Sequence, residues 1–228
     1  MPTVNQVADW IIKFRADTGA PVDPMSLQKL LFYAQAFCFA QHGEPLFDAD
    51  FEAWRHGPVV RQIWGAHAYV ENDAGVIVPH KDVWPPQIDG ESEACLKDAV
   101  QFFSRLNAVR LSHATHNEDP WLSARGKREW YENSSEPIPR NHIRTYYAEL
   151  IADGEDALSR HEALDVVPEP RIGIYYQAGI CVRRMTRHPL YRMDWAEALL
   201  SPVAPDPDMP QQLFAPILRR EFVAASDL

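Results

Sequence analysis

One segment constrains the fold more than any other, because it is apolar on every face of a helix. It opens with Asp23 and Pro24, which supply a side-chain acceptor at the N-cap and a fixed φ for the first turn. Apolar and aromatic residues then recur through residues 27–40 at helical spacing and on the faces between. A helix of this kind must be surrounded by other elements, so the pattern predicts the central core helix of the fold. Gly43 is expected to end it.

Further helical patterns lie on both sides of this segment. Thr3 with Gln6 forms a capping-box pattern, and Gly19 ends the helix that the box begins. The sequence therefore predicts a mainly α fold, with a compact helical domain over residues 1–152. Five other helices are expected in this domain. They are one that begins near Pro58, one over residues 92–106, one over residues 109–116, one that begins at Pro120 and one over residues 140–151.

The character of the chain changes after Gly154. Residues 171–182 are β-prone, and residues 201–216 contain five prolines, which exclude regular structure there. We therefore expect residues 153–228 to form a C-terminal extension with a small β element, or β-hairpin, and a Pro-rich arm. The extension either carries much of the partner specificity or simply completes the fold.

Charge and composition exclude several classes of function. The chain of 228 residues has 32 acidic and 22 basic side chains, a formal net charge of −10. This balance argues against general affinity for nucleic acid or for an anionic membrane. No run of 18 apolar residues occurs, and the N-terminus lacks a basic start followed by an apolar stretch, so a cytoplasmic protein is expected. The oligomeric state is left open.

Motifs for cofactors and for catalysis are missing from the sequence. GxGxxG, GxxxxGK[ST] and GxSxG do not occur, so no cofactor and no enzymatic activity are predicted. Cys38, Cys95 and Cys181 show no CxxC spacing, and we expect them to be reduced thiols that behave as small apolar residues.

The nearest approach to a reactive cluster is His113 and His116, followed by Glu118. Histidines three residues apart share a helix face, so a helical metal-dependent hydrolase is one alternative. In the other interpretation, which we favour, the histidines are structural and the acidic residues cap the next helix. HxxH is much less specific than HExxH, which also supplies the general base.

Two groups of residues are candidates for contact with a partner. The first group consists of a Gly-Pro step and of aromatic side chains. Aromatic side chains of this kind serve either as core residues that fix a loop or as a recognition surface. The second is a cluster of arginines, either solvated, or facing an acidic partner, or contacting nucleic acid as a regulator would. The candidates are Trp54, His56, Gly57, Pro58, Trp64 and Trp121 in the first group and Arg183, Arg184, Arg187 and Arg192 in the second.

The same region resembles a known family, the Panacea domain of the SocA-like antitoxins. The resemblance covers about residues 4 to 152, and its most specific part is the Ala-Trp-x-x-Gly-Pro-Val element that begins at Ala53. His56 stands where the family more often has tyrosine. The matching segments are Leu27–Ala36, Gly43–Phe47, Glu52–Val60 and Leu111–His116, with Pro120 and Trp121.

The resemblance implies a mostly helical antitoxin, often phage-associated, that binds and neutralises a cognate protein toxin by direct contact. It also implies that a SocA-type member can act as an adaptor and deliver its toxin to a protease, so an AAA+ protease is a second expected partner. No catalytic residue carries over from the family. The identity of the toxin is open, and the neighbouring reading frame is the place to look for it.

Overall fold

The computed structural model describes residues 1–67, 74–79, 88–129 and 131–159, together with Ile172 and Tyr176. These residues are mainly helical, as predicted, with a small antiparallel sheet. In chain order the elements are α1 (Val4–Asp17), α2 (Pro24–His42), β1 (Phe51–Trp54), β2 (Gly57–Val59), α3 (Arg61–His67), α4 (Gly90–Phe103), α5 (Ala108–His116), α6 (Asp119–Arg125), β3 (Pro137–Ile138) and α7 (Arg140–Ser159).

The ends of the first two helices follow from local chemistry that the sequence displays. Thr3 and Gln6 form the predicted capping box at the start of α1. The Asp23 carboxylate accepts a hydrogen bond from the Ser26 backbone N–H at 2.9 Å and so caps α2. Gly43 ends α2 in the left-handed conformation, with φ of +79°. Both predicted boundaries of the central helix are confirmed.

Helix α2 lies at the centre of the core, as its pattern predicts. Residues 26–38 are all buried, so no face of the helix is left to solvent over more than three turns. The helix packs against α1, α3, α4, α5, α7 and β2. Aromatic rings fill the space between α2 and its neighbours: Tyr33 stacks on Phe103 of α4 at 3.8 Å between ring centroids, and Phe37 packs edge-on against Tyr147 of α7.

The three strands pair in the order β2-β1-β3, antiparallel throughout. Trp54 pairs with Gly57 across a two-residue turn, so β1 and β2 form a hairpin, and Phe51 pairs with Ile138 of β3. This sheet corrects the prediction of a loop and of a helix that begins near Pro58. Pro58 lies inside β2, and α3 begins only at Arg61.

The start of the C-terminal extension is continuous with the domain. Helix α7 runs through Gly154 to Ser159 without a break at the predicted boundary. Ile172 and Tyr176 are helical and buried, and both belong to the core. The small β element therefore forms from residues 51–59 and 137–138, whereas the β-prone run 171–182 is helical at the two positions that the structure describes. Its other residues and the Pro-rich arm lie outside the described residues.

Helices α2 and α4 are joined covalently. Cys38 and Cys95 form a disulfide, with 5.8 Å between their Cα atoms. The prediction of free thiols is wrong for these two residues. The sequence did not reveal the pair, because 57 positions separate the two cysteines and no motif links them. Cys181 lies outside the described residues.

Within the described ranges, no helix combines the length and the apolar character that a membrane span requires.

Candidate functional site

The hairpin of β1 and β2 is held from below by buried polar side chains of α2. The Lys29 ammonium donates a hydrogen bond to the Pro58 carbonyl at 3.0 Å, and the Gln28 side-chain carbonyl accepts one from the Val60 N–H at 2.8 Å. Lys29 is 1% exposed, and burial lowers its pKa to about 7. These long-range bonds satisfy the outer edge of a very short strand and fix the hairpin on the core.

Two helices hold the turn of the hairpin from the side. The Ser112 hydroxyl of α5 donates to the His56 carbonyl at 3.0 Å, and the Trp121 indole N–H of α6 donates to the Trp54 carbonyl at 2.9 Å. Trp121 is 4% exposed. It is therefore a structural support for the hairpin, while His56 at the turn is exposed to solvent.

Arg125 is a second buried support. One guanidinium nitrogen donates to the Ala53 carbonyl at 3.2 Å, and the other donates to the carbonyls of Glu129 and Glu132 at 2.8 and 2.7 Å. Its guanidinium also lies 4.9 Å from the ring centroid of Trp121. The side chain thus ties β1, α6 and the following loop together through backbone carbonyls.

Gly57 occupies the tightest place in the hairpin. Its φ is +99°, a region that L side chains rarely adopt. A Cβ atom here would lie 2.6 Å from the Thr115 hydroxyl and 2.7 Å from Cε of Lys29. The glycine is therefore required by close packing of backbone on side chains.

The outer side of the hairpin is aromatic and carries an ion pair. Trp54 and Trp64 are half-buried, and their rings meet edge to face at 5.9 Å between centroids. Arg61 lies 5.2 Å from the Trp54 ring and forms a salt bridge of 2.6 Å with Glu52. The hydrogen bond from Arg61 holds the pKa of Glu52 below its usual value. Rigid, partly exposed tryptophans of this kind are frequent in protein interfaces.

His116 is the last residue of α5 and lies against α6. Its ring stacks on Trp121 at 4.1 Å between centroids, and its buried Nε2 has no hydrogen-bond partner among the described residues. Burial, together with the positive charges of Lys29 and of the neighbouring histidines, lowers the pKa of His116 to about 3. The ring is neutral at pH 7, and it packs as an aromatic side chain.

Glu118 is engaged elsewhere. It is 3% exposed, and it accepts hydrogen bonds from the hydroxyls of Tyr147 at 2.6 Å, Tyr176 at 3.0 Å and Tyr33 at 3.3 Å. Both carboxylate oxygens are therefore committed to phenols of the core, and Glu118 does not complete a metal site with the HxxH histidines. Within the residues that the structure describes, no cluster of three His, Cys, Asp or Glu side chains could hold a metal ion.

Burial of Glu118 predicts a pH-dependent stability. Burial raises its pKa from 4.5 to about 7, so the folded state binds the proton more tightly than the unfolded state. The resulting stabilisation is fully present below pH 4.5 and is lost as the pH rises through 7. Between these pH limits, the free energy of unfolding of the protein should fall by about 3 kcal/mol relative to that of a Glu118→Gln variant, whose side chain does not titrate. Urea unfolding of both proteins across this pH range measures the difference, and a constant difference would contradict the assignment.

The structure brings together one of the two groups of predicted contact residues. Trp121 supports the hairpin, and the other five residues form it or lie against its outer side. Lys29, Ser112 and Arg125 were missed, because nothing in their sequence neighbourhood signals a bond to a distant strand. Arg183, Arg184, Arg187 and Arg192 lie outside the described residues. The group brought together is Trp54, His56, Gly57, Pro58, Trp64 and Trp121.

Residues 27–122, which include most of α2, the hairpin, α5 and most of α6, match the family described as Antitoxin SocA-like, Panacea domain. This part of the chain is therefore a SocA-like Panacea domain.

One curated relative is Antitoxin SocA of Caulobacter vibrioides (strain NA1000 / CB15N). It is 38% identical to this chain over 128 residues, which cover 50% of this chain and 66% of the relative, slightly less than two thirds of its length. No solved structure matches the chain.

Proposed function

We propose that this protein is an antitoxin that binds and neutralises a cognate protein toxin. The observation that carries the proposal is the match of residues 27–122 to the antitoxin family, which covers the hairpin and its supports Gln28, Lys29, Ser112 and Trp121. The relative in Caulobacter vibrioides is named Antitoxin SocA. An antitoxin of this type acts through a binding surface and uses no catalytic group.

The toxin contacts the outer side of the hairpin in this proposal. Trp54 and Trp64 present large, rigid rings, and His56 is exposed at the turn. Such a surface loses little side-chain entropy on binding because the rings are already held by their neighbours. The buried supports from α2, α5 and α6 keep the hairpin in one conformation, as a preformed binding surface requires.

The finer aspects of the proposal concern the fate of the toxin. Delivery to an AAA+ protease requires only that the complex be recognised, and residues 153–228 are the proposed place for added partner contacts. Delivery to a protease and inhibition by binding can be told apart by the amount of toxin in the cell. Delivery lowers the amount of toxin in the cell, whereas inhibition by occupancy leaves the amount unchanged.

Growth rescue tests the proposed function. We expect the product of the reading frame beside the gene to arrest growth when it is expressed alone, and co-expression of this protein to restore growth. Trp64→Ala should weaken rescue, because truncation of a central interface tryptophan costs roughly 2–4 kcal/mol of binding. Lys97→Ala, an exposed change on α4, is the matched control and should rescue fully. Absence of rescue by the unaltered protein, with both proteins expressed, would contradict the antitoxin assignment.

The competing functions have weaker support. A hydrolase built on His113, His116 and Glu118 would need a free carboxylate, and Glu118 is bound by three tyrosines. A nucleic-acid regulator that uses the arginine cluster is opposed by the net charge of −10.

A further inference from the structure

The disulfide between Cys38 and Cys95 crosses an interface on which the hairpin depends. It joins α2, whose Gln28 and Lys29 side chains hold the hairpin, to α4, which packs along α2. The 57 positions that separate the two cysteines include β1, β2 and α3. The bond therefore closes a loop that contains the whole hairpin, and it restricts how far this segment can leave the core.

Cys95 is the cysteine that a reagent in solution reaches first. It lines a cavity of about 480 Å³ between α2, α4 and α7, and it is 6% exposed. Cys38 is 2% exposed and does not line the cavity. Thiol–disulfide exchange proceeds by attack of a thiolate on one sulfur, while the other sulfur leaves. A thiolate that enters the cavity therefore meets Sγ of Cys95, and Cys38 is the leaving group.

The surroundings of the two sulfur atoms suit the reduced form as well as the oxidised form. Sγ of Cys95 lies 3.3 Å from the side-chain oxygen of Gln41, to which a Cys95 thiol can donate a hydrogen bond. Cys38 belongs to the hydrophobic core, where a free thiol packs as a small apolar group. Breaking the bond thus leaves both thiols in a suitable environment, and reduction does not require the fold to be lost.

We propose that Cys38 and Cys95 form a redox modification site, which a low-molecular-weight thiol opens and a low-molecular-weight disulfide closes. In the reduction, a thiolate attacks Sγ of Cys95, the Cys38–Cys95 bond breaks, and Cys38 leaves as a thiolate that takes a proton from water. A second thiolate attacks the reagent sulfur of the mixed disulfide and releases Cys95, which is protonated in turn. The reagent is oxidised to its disulfide, and the cystine is reduced to its thiols.

The inference rests on the proposed function, because it names a regulation of the toxin-binding hairpin. The oxidised protein keeps the hairpin-bearing loop tied to α2 and α4, whereas the reduced protein has lost this constraint. Since closure of a loop of this length restricts the unfolded chain, the thermal midpoint of the oxidised protein should be about 8–16 °C higher. The reduced antitoxin unfolds more often, and it is the form that releases the toxin.

Exchange with glutathione tests the site without a toxin. The Cys181→Ala variant removes the third cysteine and is incubated with oxidised or with reduced glutathione under native conditions. Alkylation and mass spectrometry then identify the free thiols. We expect Cys38 and Cys95 to be linked after oxidation and free after reduction, with the stated difference in thermal midpoint. Cys38→Ala in the same background cannot form the bond and should show no such difference.

A second pair of variants tests the route of attack through the cavity. Ala94 lines the cavity beside Cys95, whereas Lys97 is exposed on α4 outside it. Ala94→Trp should be reduced by glutathione several times more slowly than the unaltered protein, because the indole ring blocks the approach to Cys95. Lys97→Trp adds the same ring to the same helix and should be reduced at the unaltered rate.

Four results would overturn the inference. They are free thiols at both positions after oxidation, equal thermal midpoints for the two forms, equal rates of reduction for Ala94→Trp and Lys97→Trp, and reduction that occurs only when urea unfolds the protein. The redox assays and the growth assay fail independently. Growth rescue with equal midpoints would leave an antitoxin without redox control, and a redox-dependent midpoint without rescue would place the site in a protein that is not an antitoxin.

Discussion

Replacement of Gly57 by alanine is expected to destabilise the protein by roughly 2–6 kcal/mol. The positive φ costs an L residue about 1–3 kcal/mol, and forcing a methyl group into a filled site costs about as much again. The methyl group would lie under 3 Å from both Thr115 and Lys29, whose side chains are buried and hydrogen-bonded. The hairpin would have to move away from α2, so binding to the partner should fall together with stability.

Gly65 provides the matched control for this change. It lies in α3, and a Cβ there meets no atom within 4 Å. Gly65→Ala should leave the protein unchanged or stabilise it by up to about 1 kcal/mol through helix propensity. Urea unfolding of the two variants gives both values. Equal stability of Gly57→Ala and Gly65→Ala would show that the hairpin does not sit tightly on α2.

Truncation of Phe37 to alanine is expected to cost about 3–5 kcal/mol, since it removes a large ring from a closed core. Phe37 is 0% exposed and contacts the rings of Phe103, Tyr147 and Tyr176, which come from three different segments. Leu31→Ala, on another face of the same helix, should cost about 2–5 kcal/mol.

The thermal midpoint and urea unfolding measure both core substitutions. Leu122→Ala is the control, because Leu122 is 46% exposed and its truncation should change stability little. If neither Phe37→Ala nor Leu31→Ala lowered the midpoint, α2 would have to lie on the surface, contrary to its pattern and to the fold.

The central helix could be predicted from the sequence because its information is local. Asp23, Pro24 and Gly43 mark the ends of α2, and the apolar pattern between them marks its burial. The hairpin could not be predicted in this way. Its strands have four and three residues, too few for a period to show, and they are held by Lys29 from 29 positions away.

In the candidate site, too, the features set by local sequence could be predicted and those set by long-range contacts could not. Tryptophans beside a Gly-Pro step are visible in the sequence, so Trp54, Trp64 and Trp121 could be named. Burial decides their roles, and only the fold shows that Trp121 supports the hairpin while Trp54 borders the surface. Glu118 was considered as a metal ligand because it follows the HxxH pair. Its tyrosine partners come from distant parts of the chain and leave no mark near it.

Hydrogen–deuterium exchange of the purified complex tests the central claim most directly. The partner is the product of the neighbouring reading frame, mixed with this full-length protein in equal amounts. We expect complex formation to slow exchange at the turn of the hairpin and in residues 61–67 and 108–117, with little change in α7. Protection confined to α7 and the segments beyond it, or no stable complex, would contradict the assignment of the hairpin as the toxin-binding surface.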